Sequence, residues 1–106
     1  MEVHNIKNFT KWWFIGNFEP SLLKTKDFEV AIKHYKAWDQ EEAHYHKEAI
    51  EYTVIISWKF KMNDTLLQKN DIIVMNKNEV SNFECIKDWT TVVVKSPSLH
   101  WDKFII

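Results

Sequence analysis

The stretch that decides both the fold and the candidate site is Trp38-Asp-Gln-Glu-Glu-Ala-His44-Tyr-His46-Lys-Glu-Ala-Ile-Glu51-Tyr-Thr-Val-Ile-Ile-Ser-Trp58. Side chains alternate along a strand, so two histidines one residue apart point to the same face. Glu51 follows a few residues later and can close around the same point. Two imidazoles and one carboxylate suit a divalent transition metal and leave positions open for a ligand. The stretch therefore predicts a metal site formed by His44, His46 and Glu51.

Short strands separated by turns are predicted over most of the chain. Residues 28–36 alternate, with Phe28, Val30, Ile32 and His34 on one face. Many such strands at close spacing are typical of a sandwich or a barrel. We therefore predict an all-β fold in a single domain over residues 1–106. The other segments rich in β-branched and aromatic residues are 52–57, 59–62, 71–75, 81–86 and 90–95.

Three local features refine this prediction. Asn63 and Asp64 both tolerate left-handed backbone, which predicts a tight hairpin turn. Residues 71–75 form an apolar run between polar turns, which predicts a strand buried on both faces. One helical turn is predicted near Pro20, because proline can occupy the first position of a helix.

Composition narrows the class of protein. The 14 basic and 15 acidic side chains nearly cancel, so there is no electrostatic case for binding nucleic acid. All basic residues are lysine, and without arginine no bidentate clamp for phosphate exists. Cys85 is the one cysteine, so no intrachain disulfide can form and a reducing compartment fits best. No apolar stretch is long enough to span a bilayer. We expect a soluble cytoplasmic protein that binds neither nucleic acid nor membranes.

The spacing in the first stretch resembles the first motif of the cupin family. That motif reads Gly, five residues, His-x-His, three or four residues, Glu, six residues, Gly. The resemblance covers roughly residues 28–96 and implies a small double-stranded β-helix, or jelly-roll barrel. It also implies a metal inside the barrel, held by the two histidines, the glutamate and a third histidine from a second motif. Both glycines of the first motif are tryptophan in this chain, at Trp38 and Trp58.

The second cupin motif is eroded in this sequence. It reads Gly, five residues, Pro-x-Gly, two residues, His, three residues, Asn, and the spacing falls on Asn70, Asn76, Asn78, Ser81 and Cys85. Ser81 stands where the resemblance places the third histidine, and we expect it to face the same interior point. A neutral hydroxyl is a poor ligand for a transition metal, so the alternative is a relic site whose polar residues hydrogen-bond to one another.

Two further side chains are accessory candidates at the site. His34 can replace the missing ligand if its strand runs beside the motif, although a lone histidine on a strand is more often exposed or satisfied elsewhere. Tyr52, like Tyr35 and Tyr45, can supply an orienting hydroxyl, although a tyrosine in a barrel more often only packs.

The tryptophans are a separate anomaly, because six Trp accompany a single Gly, where average usage predicts roughly seven Gly. Besides the two motif positions, Trp89, Trp101 and one of Trp12 or Trp13 have polar, turn-like neighbours. Glycine accepts a positive φ without steric cost, whereas tryptophan does not. Lysine without arginine, with many Asn and Ile, is typical of an AT-rich genome. We hypothesise that these codons are UGA codons read as Gly in the source organism; the alternative is real tryptophans that contact a partner or a sugar.

The resemblance implies two classes of function. In the first, the barrel interior binds a small molecule through a divalent metal (Fe, Mn, Ni or Zn), with isomerase-, epimerase- or oxygenase-like chemistry if the protein is an enzyme. In the second, the protein is a non-catalytic binding, sensing or assembly module with a relic metal site. Cupins commonly pair through edge strands, so a homodimer is expected in either class.

Overall fold

The computed structural model describes residues 1–39, 41–57, 60–85 and 88–105. Two 3-10 turns, Ile6–Asn8 and Thr10–Trp12, precede the strands. The ten strands in these ranges are β1 Trp13–Ile15, β2 Glu29–Tyr35, β3 His44–Tyr45, β4 Ile50–Ser57, β5 Phe60–Met62, β6 Thr65–Leu67, β7 Ile72–Met75, β8 Phe83–Cys85, β9 Trp89–Ser96 and β10 Phe104–Ile105. The predicted all-β fold is confirmed.

The described strands form three antiparallel sheets. The largest has the order β1-β2-β9-β4-β7, the second has the order β6-β5-β8, and β10 pairs with β3 in the third. Strands that are distant in the sequence lie side by side, as β2 and β9 do over seven paired residues from Glu29↔Lys95 to Tyr35↔Trp89. No helix in the described ranges is long and apolar enough to cross a membrane.

Two of the local predictions can be compared with the backbone. Asn63 and Asp64 have φ values of 49° and 64° and join β5 to β6, so the predicted hairpin is confirmed. The helical turn predicted near Pro20 is wrong. The backbone there bonds to the chain around β1 instead, since Leu22 N–H donates to the Phe14 carbonyl at 2.8 Å.

The inward face of the large sheet changes from polar to apolar along its strands. Glu29, Lys95 and Glu51 lie opposite one another on β2, β9 and β4 at one end. Tyr35 and Trp89 are paired at the other end and their rings stack with centroids 4.7 Å apart. The apolar core extends from that end and is formed by Ile55, Met62, Met75 and Trp89, with Tyr35, Leu67 and Ile73 packed against it; Met75 lies directly opposite Glu51. The core therefore supports one end of the fold and leaves a polar interior at the other.

The outer face of the same sheet is apolar and partly uncovered. Strand β7 is buried at Met75, but Ile72 and Val74 are 64% and 45% exposed, so the prediction of burial on both faces is wrong for this strand. Tyr52 lies directly opposite Val74, and Val54 lies opposite Ile72. We call the outer apolar face the set Val30, Ile32, Tyr52, Val54, Ile56, Ile72, Val74, Val92 and Val94.

The tryptophans fall into different environments. Trp38 lies in a turn with φ of 71° and is 70% exposed, an environment in which glycine is the usual residue. Trp89 begins β9 and is 2% exposed, which corrects the expectation that it occupies a turn. Trp101 is exposed but does not have a positive φ. Trp58 lies outside the described residues. The codon hypothesis stays a prediction, and Trp38 is the described position that fits it best.

Candidate metal centre

Three side chains converge in the polar interior. His44 lies on β3, His46 follows directly after that strand, and Glu51 lies on β4. One potential ligand atom from each lies within 4.8 Å of the others, and both histidines are buried. His46 Nε2 and Glu51 Oε2 are 3.2 Å apart. The structure thus brings together the three residues that the first motif singled out.

Backbone carbonyls orient both imidazoles. His44 Nδ1 lies 2.9 Å from the Glu42 carbonyl oxygen, and His46 Nδ1 lies 2.6 Å from that of Asp102. A carbonyl can only accept, so each Nδ1 carries the proton and donates it. In the neutral imidazole this leaves Nε2 with a free lone pair, the arrangement found in metal-ligating histidines.

The Nε2 atom of His46 is the most informative atom of the site. It is buried and lies 3.2 Å from the Glu51 carboxylate, to which the lone pair of a neutral Nε2 cannot donate a hydrogen bond. Buried polar atoms without a partner are rare and call for an explanation, one of which is an ion. Two imidazole nitrogens and a carboxylate oxygen gathered at one point fit a divalent transition metal by their chemistry as well.

The segment that carries the eroded second motif holds the histidines in place. Ser81 and His44 exchange both backbone hydrogen bonds, at 3.1 and 2.7 Å, and Asn78 N–H donates to the His46 carbonyl at 2.6 Å. Asn70 and Asn78, which replace motif glycines, have φ values of 77° and 66°. Asparagine tolerates this left-handed region better than other residues with a side chain. The backbone of the second motif therefore persists although its signature residues do not.

Ser81 lies next to the strand that carries His44. It is directly opposite His44 across an antiparallel bridge, and its side chain is buried. Directly opposed residues project to the same face of a sheet, so Ser81 and His44 face the same interior.

Asp102 is a supporting residue that the sequence analysis missed. Its fully buried carboxylate accepts hydrogen bonds from the backbone N–H groups of Lys47, Glu48 and Ala49 at 2.8–3.1 Å. This loop joins His46 to the strand that carries Glu51. Burial alone would raise the pKa of Asp102, but the three N–H donors outweigh burial and lower it. An aspartate between Trp101 and Lys103 gives no recognisable sequence signal for this role.

The charges around Glu51 keep it ionised. Burial would raise the pKa of Glu51, but a hydrogen bond with His46 and the positive charges of Lys95 and of the two imidazoles in their protonated form outweigh burial and lower it. Lys95 also makes a buried ion pair with Glu29 at 2.8 Å. A carboxylate with a lowered pKa is available as an anionic ligand at neutral pH.

A cavity of about 530 Å³ opens onto these residues. Its wall includes both histidines and Glu51, and it also includes residues to which the sequence analysis gave no role, among them His100. The charged residues of the wall are Lys11, Lys33, Lys95, Lys103, Glu19, Glu29, Glu41 and Glu51.

His34 and Tyr52 do not reach this cavity, which corrects the expectation that they assist the site. His34 is exposed, and its Nδ1 lies 3.0 Å from Thr90 Oγ1. Tyr52 is exposed among the side chains of the outer apolar face. The reason is strand alternation: Lys33 and Glu51 point inward, so the residues that follow them point outward.

Comparison with known structures identifies the fold. No protein-family model matches the sequence, and no match is found among curated proteins. A conserved protein with a double-stranded β-helix domain from Klebsiella pneumoniae is 18% identical, with 99% of this chain and 96% of that chain covered and a TM-score of 0.71. An RmlC-like cupin from Shewanella frigidimarina is 11% identical, with 71% and 70% covered and a TM-score of 0.66. The DMSP lyase DddQ from Ruegeria pomeroyi is 14% identical, with 83% of this chain but 47% of that chain covered and a TM-score of 0.69. The chain has the double-stranded β-helix fold of cupin proteins.

Proposed function

We propose that this protein binds a divalent transition metal (Fe, Mn, Ni or Zn) through His44, His46 and Glu51, and a small molecule in the adjoining cavity. The observation that carries the proposal is the convergence of one potential ligand atom from each of these three residues; the atoms lie within 4.8 Å of one another, and both histidines are buried. The cavity volume of about 530 Å³ is within the usual range for small-molecule sites.

Each residue has a defined task in this proposal. His44 and His46 each present an unprotonated Nε2, because backbone carbonyls hold their Nδ1 protons. Glu51 supplies negative charge that offsets the charge of a cation. Asp102 fixes the loop between these ligands. A metal bound there would supply Lewis-acid polarisation of an oxygen atom on the small molecule. The lyase among the structural neighbours supports small-molecule chemistry in a barrel of this fold.

Metal analysis of untagged protein tests the proposal. We expect about one equivalent of metal on the wild type after loading and dialysis, and a large loss on the His46→Ala variant. His34→Ala is the matched control, since it removes an exposed imidazole outside the cavity and should leave the metal content unchanged. Equal metal content in the His46→Ala and wild-type proteins, or none in the wild type, would contradict the proposal and favour the relic site.

We also propose that the protein forms a homodimer through the outer apolar face. This face crosses four strands, and its cross-strand pairs are apolar on both sides, as in Tyr52↔Val74 and Val54↔Ile72. It ends at β7, which is an edge of the sheet. An exposed apolar patch that continues to a sheet edge is typical of an interaction surface. A second copy offers the same uncharged apolar surface and needs no oppositely charged partner.

Light scattering after gel filtration tests this surface. We expect a dimer for the wild type and a monomer for Ile72→Lys, which places a charge on the edge strand of the face. Leu66→Lys is the control, because Leu66 is similarly exposed but lies in the other sheet. A wild-type monomer, or a dimer that survives Ile72→Lys, would exclude this interface.

A further inference from the structure

Within the described part of the chain, the ion pairs around the cavity leave two wall lysines without a carboxylate, exposed Lys11 and half-buried Lys33. Lys95 pairs with Glu29 at 2.8 Å, and Lys103 pairs with Glu41 at 3.0 Å. The second oxygen of Glu29 accepts a hydrogen bond from the Ser98 hydroxyl at 3.1 Å. The two other carboxylates of the wall are also engaged: Glu51 beside His46 at 3.2 Å, and Glu19 with Lys24 at 3.4 Å.

Lys33 is the half-buried lysine of these two. It projects from β2 into the cavity, and its ammonium stands over the Trp13 ring, 4.8 Å from the centroid. Among the described residues no carboxylate forms an ion pair with Lys33 or with Lys11 on the same wall, but Lys11 is exposed whereas Lys33 is half-buried. The pKa of Lys33 is lowered by burial first; Glu41 and Glu51 oppose the shift, while Lys11 and Lys103 add to it. A half-buried ammonium in this setting would gain from an anion in the cavity.

We propose that the cavity binds a small organic acid and that Lys33 pairs with its carboxylate. The inference rests on the proposed function, because the rest of the acid would lie against the metal held by His44, His46 and Glu51. Lysine is a compact charge with three donors, which suits a single carboxylate oxygen. Trp13 provides a flat apolar wall beside this charge. A neutral polyol would leave the ammonium without a counter-charge, so the structure favours an acid over a neutral sugar.

Calorimetric titration of the Mn²⁺-loaded protein with malonate, succinate and glutarate tests the inference, with erythritol as the neutral probe. We expect at least one of the three acids to bind, and erythritol not to bind. Lys33→Met keeps the length of the side chain and removes the charge, and it should weaken binding of that acid about tenfold. Lys11→Met is the matched control, since Lys11 lies on the same cavity wall but is exposed, and it should change the affinity less than threefold.

The outcomes separate this inference from the proposed function. If the wild type and both lysine variants hold metal but none of the three acids binds, the inference is overturned and the metal site stands. If Lys33→Met and Lys11→Met weaken binding of the acid equally, the acid is attracted by the general positive charge of the cavity wall and not by a contact with Lys33. This result would also overturn the inference. If the wild type holds no metal but binds an acid in a manner that depends on Lys33, the proposed function fails and the lysine site stands. Lys33→Gln repeats the test should Lys33→Met fail to fold.

Discussion

Replacement of Asp102 by alanine is the sharpest test of how the site is held together. The Asp102 carboxylate accepts the backbone N–H groups of Lys47, Glu48 and Ala49. Removal of the carboxylate leaves all three donors without their acceptor. Lys47 and Glu48 are exposed, so water can accept hydrogen bonds from their N–H groups in place of the carboxylate. Ala49 is fully buried, so its N–H stays unsatisfied.

The expected loss of stability follows from these three donors. An unsatisfied buried donor costs about 1–3 kcal/mol, and the two exposed donors lose roughly 0.5 kcal/mol each on exchange for water. We expect Asp102→Ala to lower the free energy of unfolding by about 3 kcal/mol. A domain of this size is stable by about 5–15 kcal/mol, so the variant should still fold. Asp102→Asn keeps one acceptor oxygen and should lose about 2 kcal/mol.

The pH dependence has a definite sign. The pKa of Asp102 is lowered in the folded protein, so its stabilisation is complete above the unfolded value of about 3.9 and is lost as the pH falls through the folded pKa. The difference in stability between wild type and Asp102→Ala should therefore be constant from pH 7 to pH 5. It should shrink below pH about 4, because the wild type then loses the same contacts by protonation.

Urea unfolding of metal-free protein in the presence of a chelator measures these differences without a contribution from bound metal. Asp88→Ala is the matched control, because exposed Asp88 accepts one backbone N–H, from Ala37 at 2.9 Å, across a similar sequence separation. It should cost about 1 kcal/mol or less. Equal losses for the two variants, or a difference that grows in acid, would refute the reasoning. In the metal-loaded protein, Asp102→Ala should also weaken metal binding by about tenfold.

Two further predictions concern other positions. Trp38→Gly should raise the stability by about 1 kcal/mol, because a residue with a side chain is strained at φ of 71°; Trp89→Gly should lower it by about 3 kcal/mol or more, because Trp89 is buried in the core. Both changes in stability are measured by urea unfolding. A loss of stability in Trp38→Gly would count against a glycine at this position, and UGG codons at Trp38 and Trp58 would refute the codon hypothesis. Ser81→His should tighten metal binding about tenfold in a titration, because it restores a fourth ligand opposite His44; absence of binding by both proteins would mean a relic site.

The sequence predicted the parts of the site that depend on local spacing. His44, His46 and Glu51 converge because a one-residue separation on a strand fixes a common face. The hairpin at Asn63 and Asp64 followed from residues that tolerate positive φ. Each of these predictions needs only backbone geometry over a few residues.

The supporting residues could not be predicted in the same way. Asp102 acts on a loop more than fifty positions earlier in the chain, and Lys33 reaches the cavity because β2 lies beside β9. Neither relation leaves a periodic pattern. The prediction of a helical turn near Pro20 was wrong for a similar reason. Hydrogen bonds from this segment to the backbone around β1 outweigh a weak local preference for a helical turn.

The orientation of the strand faces shows why hydrophobicity alone does not identify the interior of this fold. In β2 the apolar face that contains Val30, Ile32 and His34 points outward, and the face with Glu29 and Lys33 lines the cavity. Alternation normally places apolar residues inward, so hydrophobicity alone would have assigned these faces the wrong way round. An interior that holds charged groups cannot also be the main apolar core, which is why the core extends from the end around Ile55 and Trp89. The apolar side chains that are absent from this charged interior lie on the outer face of the sheet. Burial of that face against a second copy would recover the stability that the charged cavity costs, so the proposed homodimer and the candidate metal centre would both follow from one arrangement of strands.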